Sequence, residues 1–197
     1  MPKHLDHDAR RIEVAQAVWR VVRRDGLARA SVRNVAREAG LSAGSLRHVF
    51  STQLELLAFS MELVADRVRV RLEALRPSGD ARRDVEAVIL ELLPLDDERR
   101  AEAEVWLAFA AQALVDARLG ALRDEVDDLI FGLFRRLVEA LAEAGVLPPG
   151  ADPDLEAERL NAVVDGLVVH GLMRPERAGA DLQRRVVAAH LDELARP

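Results

Sequence analysis

Apolar residues recur along this chain at intervals of three and four residues, which is the period of an α-helix and not of a β-strand. The rhythm is clearest between residues 54 and 75, where one helix face carries Leu57, Met61, Val64, Val68, Leu72 and Leu75. No segment alternates β-branched and polar residues in the manner of a strand. The chain of 197 residues is therefore predicted to be all-α, with about nine helices.

Glycine, proline and capping residues set the predicted helix ends. The first helix ends near Gly26, and Pro94 and Gly145 end two of the later ones. Two short helices, within residues 31–39 and 42–50, follow the first. The remaining predicted helices cover residues 54–75, 80–93, 97–118, 121–144, 154–173 and 181–195.

The two short helices and the turn between them are predicted to form a helix-turn-helix. Ser31 and Ser42 can cap the two helices, and Gly40 can take the left-handed conformation that ends the first of them. Isolated helices of this length are marginal in water, so the preceding amphipathic helix must brace them.

The second short helix carries three small outward residues, Ala43, Gly44 and Ser45. Small side chains let a helix backbone approach bases and phosphates closely in a major groove about 12 Å wide. Gly44 costs a helix about 1 kcal/mol relative to alanine, so close approach is the better reason for it. The pattern favours DNA binding, and a plain helical corner is the alternative.

Charge and composition narrow the function further. The net charge is −6, but residues 1–57 hold ten Lys/Arg against six Asp/Glu, so a basic head precedes an acidic body. Only the head is then expected to meet a polyanion. The absence of cysteine, of a leader and of any apolar run near the roughly 18 residues of a membrane span favours a cytoplasmic protein.

The sequence does not predict an enzyme. It lacks cysteine and tyrosine, and it shows neither a glycine-rich phosphate loop nor a spaced cluster of histidines and carboxylates. His4 and His7 are assigned no metal site, and no metal or cofactor is expected.

The run SVRNVAREAGLSAGSLRHVFSTQLELL, residues 31–57, resembles the DNA-binding domain of the TetR/AcrR family of bacterial transcriptional regulators. The similarity covers roughly residues 8–68, and the C-terminal half has a weaker resemblance to BetI-type members. The resemblance implies a helix-turn-helix domain over 8–68, with its motif at about 31–50, and a ligand-sensing and dimerisation domain over 69–197. The implied function is that of a ligand-responsive repressor that binds a palindromic operator as a homodimer.

The predicted DNA contacts lie in and around the helix-turn-helix. They are Ser31, Arg33, Ser42, Ala43, Gly44, Ser45, Arg47, His48 and Gln53. Arg47 stands where the family usually has tyrosine, and a bidentate bond from it to guanine is worth about 1–3 kcal/mol of discrimination. Gln53 stands where lysine is usual; it can bond a phosphate but releases no counterion. Arg33 has a solvated helix face as its alternative role, and His48 can instead simply cover the domain surface.

The resemblance places the dimer interface on the last two helices. The residues expected there are Leu160, Val163, Val164, Leu167, Val168, Leu182, Val186 and Ala189. Pairing also has an independent reason, because two short helices on a two-fold axis read a palindrome with half-sites about one turn apart. The alternative for these residues is the core of their own chain.

An effector pocket is the other feature that the resemblance implies for the C-terminal domain. The large or polarisable residues expected to line it are Met61, Trp106, Phe109, Phe131, Phe134 and His170. A mostly apolar lining favours a lipophilic effector, and ordinary core is the alternative for each residue. The substitutions at Arg47 and Gln53 keep one rival function open, a helical dimer that binds small molecules or protein and has lost DNA binding.

Overall fold

The computed structural model describes residues 3–195, with side chains from residue 10 onwards. Within these residues the fold is all-α and contains no strand, as predicted. A single 3-10 turn, Leu27–Arg29, follows the first helix. The nine helices are α1 Lys3–Asp25, α2 Val32–Glu38, α3 Ala43–Val49, α4 Gln53–Ala74, α5 Ala81–Leu92, α6 Asp97–Ala113, α7 Ala117–Glu143, α8 Pro153–Met173 and α9 Ala180–Leu194.

Local capping explains most helix ends. The Ser31 hydroxyl accepts the Asn34 N–H at 3.3 Å, and the Ser42 hydroxyl accepts the Ser45 N–H at 3.0 Å. Each bond satisfies one of the N–H groups that have no partner in the first turn of a helix. Gly40 has φ 67°, the left-handed conformation predicted for it between α2 and α3.

One predicted boundary is wrong. The sequence pattern predicted helices over 97–118 and 121–144, but α6 ends at Ala113 and α7 begins at Ala117. The reason is Asp116, whose carboxylate accepts the backbone N–H of Arg118 at 3.1 Å and so starts a new helix. Leu114 and Val115 form the turn and are 76% and 80% exposed.

The chain divides into two compact units. The first comprises the residues up to Arg67 together with Glu104–Arg123. Its core joins α1 to the helix-turn-helix through fully buried side chains such as Val18, Leu46 and Phe50, and it also includes Phe109 of α6. The Trp19 indole N–H donates to the Ser60 carbonyl at 3.2 Å and links α1 to α4. The three-helix head is therefore completed by residues distant in sequence.

The second unit comprises Val68–Ala103 and the chain from Asp124 onwards. Its core is built from α5, α7, α8 and α9, with residues such as Ile89, Phe134, Leu160 and Leu191 at 1% exposure or less. The domain boundary that the resemblance implied at residue 68 stays a prediction. In the part of the chain that the structure describes, no helix is sufficiently long and apolar to span a membrane.

Candidate nucleic-acid interface

The first turn of α3 is an open part of the helix-turn-helix. Ala43, Gly44 and Ser45 are all exposed, whereas Leu46 on the opposite side is fully buried. A Cβ added at Gly44 would meet only the Ser42 hydroxyl, at 3.7 Å, an ordinary contact. Packing inside the chain therefore does not require glycine at this position, and the small face is left for a partner outside the protein.

The helix-turn-helix also exposes basic side chains. Arg47 and His48 are exposed in the second half of α3, and Arg33 is exposed near the start of α2. Ser31 and Ser42 are engaged as helix caps, and the Ser42 hydroxyl also bonds the Ser45 hydroxyl at 2.9 Å. The arrangement can present cations and hydroxyls to phosphates and base edges.

The helix-turn-helix is tied to α1 by buried apolar contacts and by ion pairs. Val35 and Ala36 on the inner face of α2 are buried in the core of the first unit. On the surface, Arg20 and Arg24 each donate to the Glu38 carboxylate at 2.9 Å. Hydrogen bonds from Arg24 and then Arg20 lower the pKa of Glu38. Exposed pairs of this kind contribute little stability, so the apolar contacts carry most of the attachment.

The corner between α3 and α4 holds several specific contacts. Phe50, which ends α3, is fully buried, and the Glu55 carboxylate accepts the Ser51 backbone N–H at 2.9 Å. The Gln53 amide nitrogen donates to the Ala30 carbonyl at 3.1 Å. This side chain therefore bonds to backbone within the head, and the phosphate contact expected of it stays a prediction. Sequence reasoning missed the bond because it spans 23 residues and leaves no local pattern.

The residues expected to line an effector pocket do not meet within one unit. Met61, Trp106 and Phe109 belong to the first unit, and Phe131, Phe134 and His170 belong to the second. Met61, Phe109 and Phe134 are buried in the cores of their units, whereas His170 is exposed. Spacing along a sequence shows which residues are apolar, but not which of them share a core.

Half of the residues expected at the dimer interface lie inside their own chain. Leu160, Val164, Leu167 and Val168 are at most 9% exposed and belong to the core of the second unit, the alternative that was expected for them, and their place at a dimer interface stays a prediction. Because α8 is apolar on more than one face, its period alone cannot identify the inward face. The other four residues are more open: Val163 and Val186 are half-buried, and Leu182 and Ala189 are exposed.

Two exposed apolar residues at the ends of α8 were not predicted. Leu155 is 55% exposed in the first turn, and Met173 is 72% exposed in the last. Their exposure and that of Leu182, which is 40% exposed on α9, leave apolar surface on the two C-terminal helices. Among the residues with described side chains, no group of histidines and carboxylates is placed to hold a metal ion. The side chains of His4 and His7 lie outside that range.

This chain is all-α, and its helix-turn-helix is braced by α1 and exposes a small face. These features are typical of helix-turn-helix transcriptional regulators. Its residues 81–196 match the family described as "BetI-type transcriptional repressor, C-terminal". The chain is 43% identical over 195 residues to the HTH-type transcriptional regulator PksA of Bacillus subtilis (strain 168), which covers 98% of this chain and 94% of PksA. The chain belongs to the TetR family and is a sequence-specific DNA-binding transcriptional regulator.

Two further comparisons agree. The HTH-type transcriptional regulator BetI of Vibrio atlanticus (strain LGP32) is 28% identical over 198 residues, covering 98% of this chain and 95% of that protein. A crystal structure of a transcriptional regulator from Rhodococcus sp. Rha1 has a TM-score of 0.81 and 30% identity, covering 93% of this chain and 95% of that chain. Regulators of this family bind DNA operators, act as dimers and bind small-molecule effectors.

Proposed function

We propose that this protein represses transcription as a homodimer that places α3 of each protomer in successive major grooves of a palindromic operator. The observation that carries the proposal is the exposure of Ala43, Gly44 and Ser45 beside exposed Arg47, with Leu46 and Phe50 buried behind them. A helix held this way can approach base edges without losing its packing. The protein then acts in the cytoplasm, where its operator lies, and has no enzymatic activity.

The side chains around α3 divide into two roles. Arg47 reads guanine, because a guanidinium donates two parallel hydrogen bonds to guanine O6 and N7. Arg33 and the N-terminal N–H groups of α2 hold phosphates and fix the register of the protein on the duplex. Ser45 and His48 add shorter contacts near the same edge.

Dimerisation uses the outward faces of α8 and α9. Leu182 and Ala189 are exposed on α9, and Val163 is half-buried on α8. Burying this apolar surface against a second copy is favourable at about 25 cal/mol per Å² of apolar area. A two-fold axis through these helices then sets the distance between the two copies of α3.

A lipophilic small molecule bound in the second unit releases the operator. The apolar core of the second unit, with Phe131 half-buried against it, supports a lipophilic effector at this location. Release is a population shift, in which the effector favours the dimer geometry that does not fit the groove spacing. The loss of operator affinity cannot exceed the effector's preference for that geometry, typically about 1–3 kcal/mol.

The experiment is fluorescence anisotropy with labelled DNA from upstream of the protein's own gene. We expect salt-dependent, saturable binding that Arg47→Ala weakens and that Arg83→Ala, a change of an exposed arginine on α5, leaves unchanged. A dimer that binds no fragment more tightly than random DNA contradicts the proposal. That result would favour a helical dimer that binds small molecules or protein and has lost DNA binding.

A further inference from the structure

A hydrogen bond joins the two ends of the helix-turn-helix. Gln53 is the first residue of α4, and its side-chain amide donates to the carbonyl of Ala30 at 3.1 Å. Ala30 directly precedes Ser31, the cap of α2. The bond therefore closes a loop that contains residues 31–52, which are α2, the turn, α3 and the α3–α4 corner.

Both anchors of this bond are held in place. On the Gln53 side, the Thr52 hydroxyl accepts the Glu55 N–H at 3.0 Å, and the Glu55 carboxylate accepts the Ser51 hydroxyl at 2.7 Å. These hydrogen bonds fix the first turn of α4, and those from Ser51 lower the pKa of Glu55. On the other side, Ala30 is fully buried and its N–H donates to the Leu27 carbonyl at 2.9 Å.

A cation–π contact holds the C-terminal end of α3. The Arg11 guanidinium lies over the Phe50 ring at 5.0 Å and over the Phe59 ring at 4.3 Å. The two rings are 5.4 Å apart, so Arg11 of α1 covers the pair that joins the end of α3 to α4. At the other end of the loop, the Ser31 N–H and the Asn34 side-chain amide donate to the Arg29 carbonyl at 2.8 and 3.0 Å. The Gln53 bond adds a restraint from α4 to that end.

We propose that Gln53 is a positioning residue that pre-orients the recognition helix α3 before DNA is met. The inference rests on the proposed operator binding, but it concerns the free protein. A neutral amide at this position sacrifices the counterion release that a lysine gives at a phosphate. In return it reduces the ordering that the helix-turn-helix must undergo on binding, and such preorganisation raises affinity.

The test replaces Gln53 with methionine, which has similar length and no hydrogen-bond donor. In the free protein, Gln53→Met should speed amide hydrogen exchange several-fold in α2 and α3 while α5 is unaffected. Operator affinity of the dimer should fall about tenfold with an unchanged slope against salt, because each of the two protomers must then order its helix-turn-helix on binding without this bond. The matched control is Gln112→Met, which changes a half-buried glutamine of α6.

The outcomes separate the possible roles. Weaker operator binding with unchanged exchange in the free protein would show that Gln53 contacts DNA directly, and would overturn the proposal. Unchanged exchange and unchanged affinity would show that the bond has no role. If the wild type binds no operator, the proposed function is refuted. Faster exchange in Gln53→Met would then still show that the Gln53–Ala30 hydrogen bond orders the helix-turn-helix.

Discussion

At the scale of the residue, the proposed function assigns Arg47 the reading of one base pair in each half-site. Arg47→Met removes both donors without changing the buried face of α3, because Arg47 is exposed. We expect a loss of about 1–3 kcal/mol on the best operator and a relaxed preference at one base pair of each half-site. Competition binding against operators substituted at each position measures this. Arg33→Met is the control, since losing a phosphate contact should weaken all sequences alike.

The charge at position 53 should set the salt dependence of binding. Gln53→Lys adds a cation at the start of α4, and a cation that reaches a phosphate releases a counterion. The slope of log affinity against log salt should steepen by about one unit per half-site. Titrations at several salt concentrations with the wild type and the variant measure it. Identical slopes would show that the side chain at this position does not reach phosphate.

His190 should make stability depend on pH. It is half-buried on α9, and its Nε2 atom is buried without a hydrogen-bond partner among the described residues. Burial, and then the nearby charge of Arg159, lowers the pKa of His190 from 6.5, against the opposing effect of Glu156 and Glu193. Below pH 6.5 the unfolded chain therefore binds more protons than the folded one, and the free energy of unfolding falls as the pH drops.

Urea unfolding between about pH 5 and 8 tests this, since the ordinary histidine pKa lies in that range. His190→Gln should flatten the lower part of the stability profile, whereas His170→Gln, which changes an exposed histidine of α8, should leave it unchanged. A wild-type profile that rises as the pH falls below 6.5 would contradict the expected sign.

At the scale of the element, a buried ion pair links α4 to α6 in the second unit. The Arg71 guanidinium donates to the two Glu102 carboxylate oxygens at 3.1 and 2.7 Å, and the Glu102 residue is 3% exposed. Arg71→Met removes both of these hydrogen bonds from the buried Glu102 carboxylate, which costs about 3 kcal/mol. The double change Arg71→Met with Glu102→Leu should cost less, because both charges are removed.

Urea unfolding of the single and double variants measures both effects. Arg69→Met is the matched control, because the Arg69–Glu73 pair is well exposed and its loss should cost less than about 1 kcal/mol. Equal costs for Arg71→Met and Arg69→Met would show that burial of Glu102 does not control the stability of this contact.

Elements whose ends are set locally could be predicted from the sequence. The Ser31 and Ser42 caps and the turn at Gly40 each depend on a few neighbouring residues, and all three occur in the structure. The break between α6 and α7 was predicted after residue 118 but follows Ala113, because the apolar period continues through Asp116. The Gln53–Ala30 bond could not be predicted, since no periodic pattern marks a contact between residues 23 positions apart.

At the scale of the whole molecule, the dimer should depend on the exposed apolar residues of α8 and α9. Leu182→Glu with Ala189→Glu places two charges on that surface, so the dimer dissociation constant should rise about tenfold or more. Operator affinity should fall with it, because one protomer reads only half of a palindrome. Analytical ultracentrifugation and operator titration measure the two effects.

Two controls keep this prediction specific. Val70→Glu changes a 57%-exposed apolar residue of α4 and should leave the dimer intact. Leu160→Ala, in the core of the second unit, should instead reduce stability by about 2–5 kcal/mol. A protein that stays dimeric with both charges on α9 would place the partner on another face.

The head could be predicted more fully than the body for a physical reason. Its small residues, caps and turn act over a few positions, so the exposure of Ala43 to Ser45 follows from the order of residues alone. In the body, Leu160 and Val163 look alike in a helical period, and only tertiary packing buries the first more deeply than the second. The effector-pocket prediction has the same weakness, because apolar residues that belong to different cores have the same helical spacing in the sequence.

The division of α4, α6 and α7 between the two compact units limits how this chain can be recombined. A fragment cut after Arg67 would lack Val105, Phe109, Ala113 and Leu119, which fill the core of the first unit. The first unit thus consists of two stretches of sequence. To transfer it to another protein, Glu104–Arg123 must be included along with the N-terminal helices. A chimeric regulator joined at a single point after Arg67 would therefore lack part of the core of its DNA-binding unit.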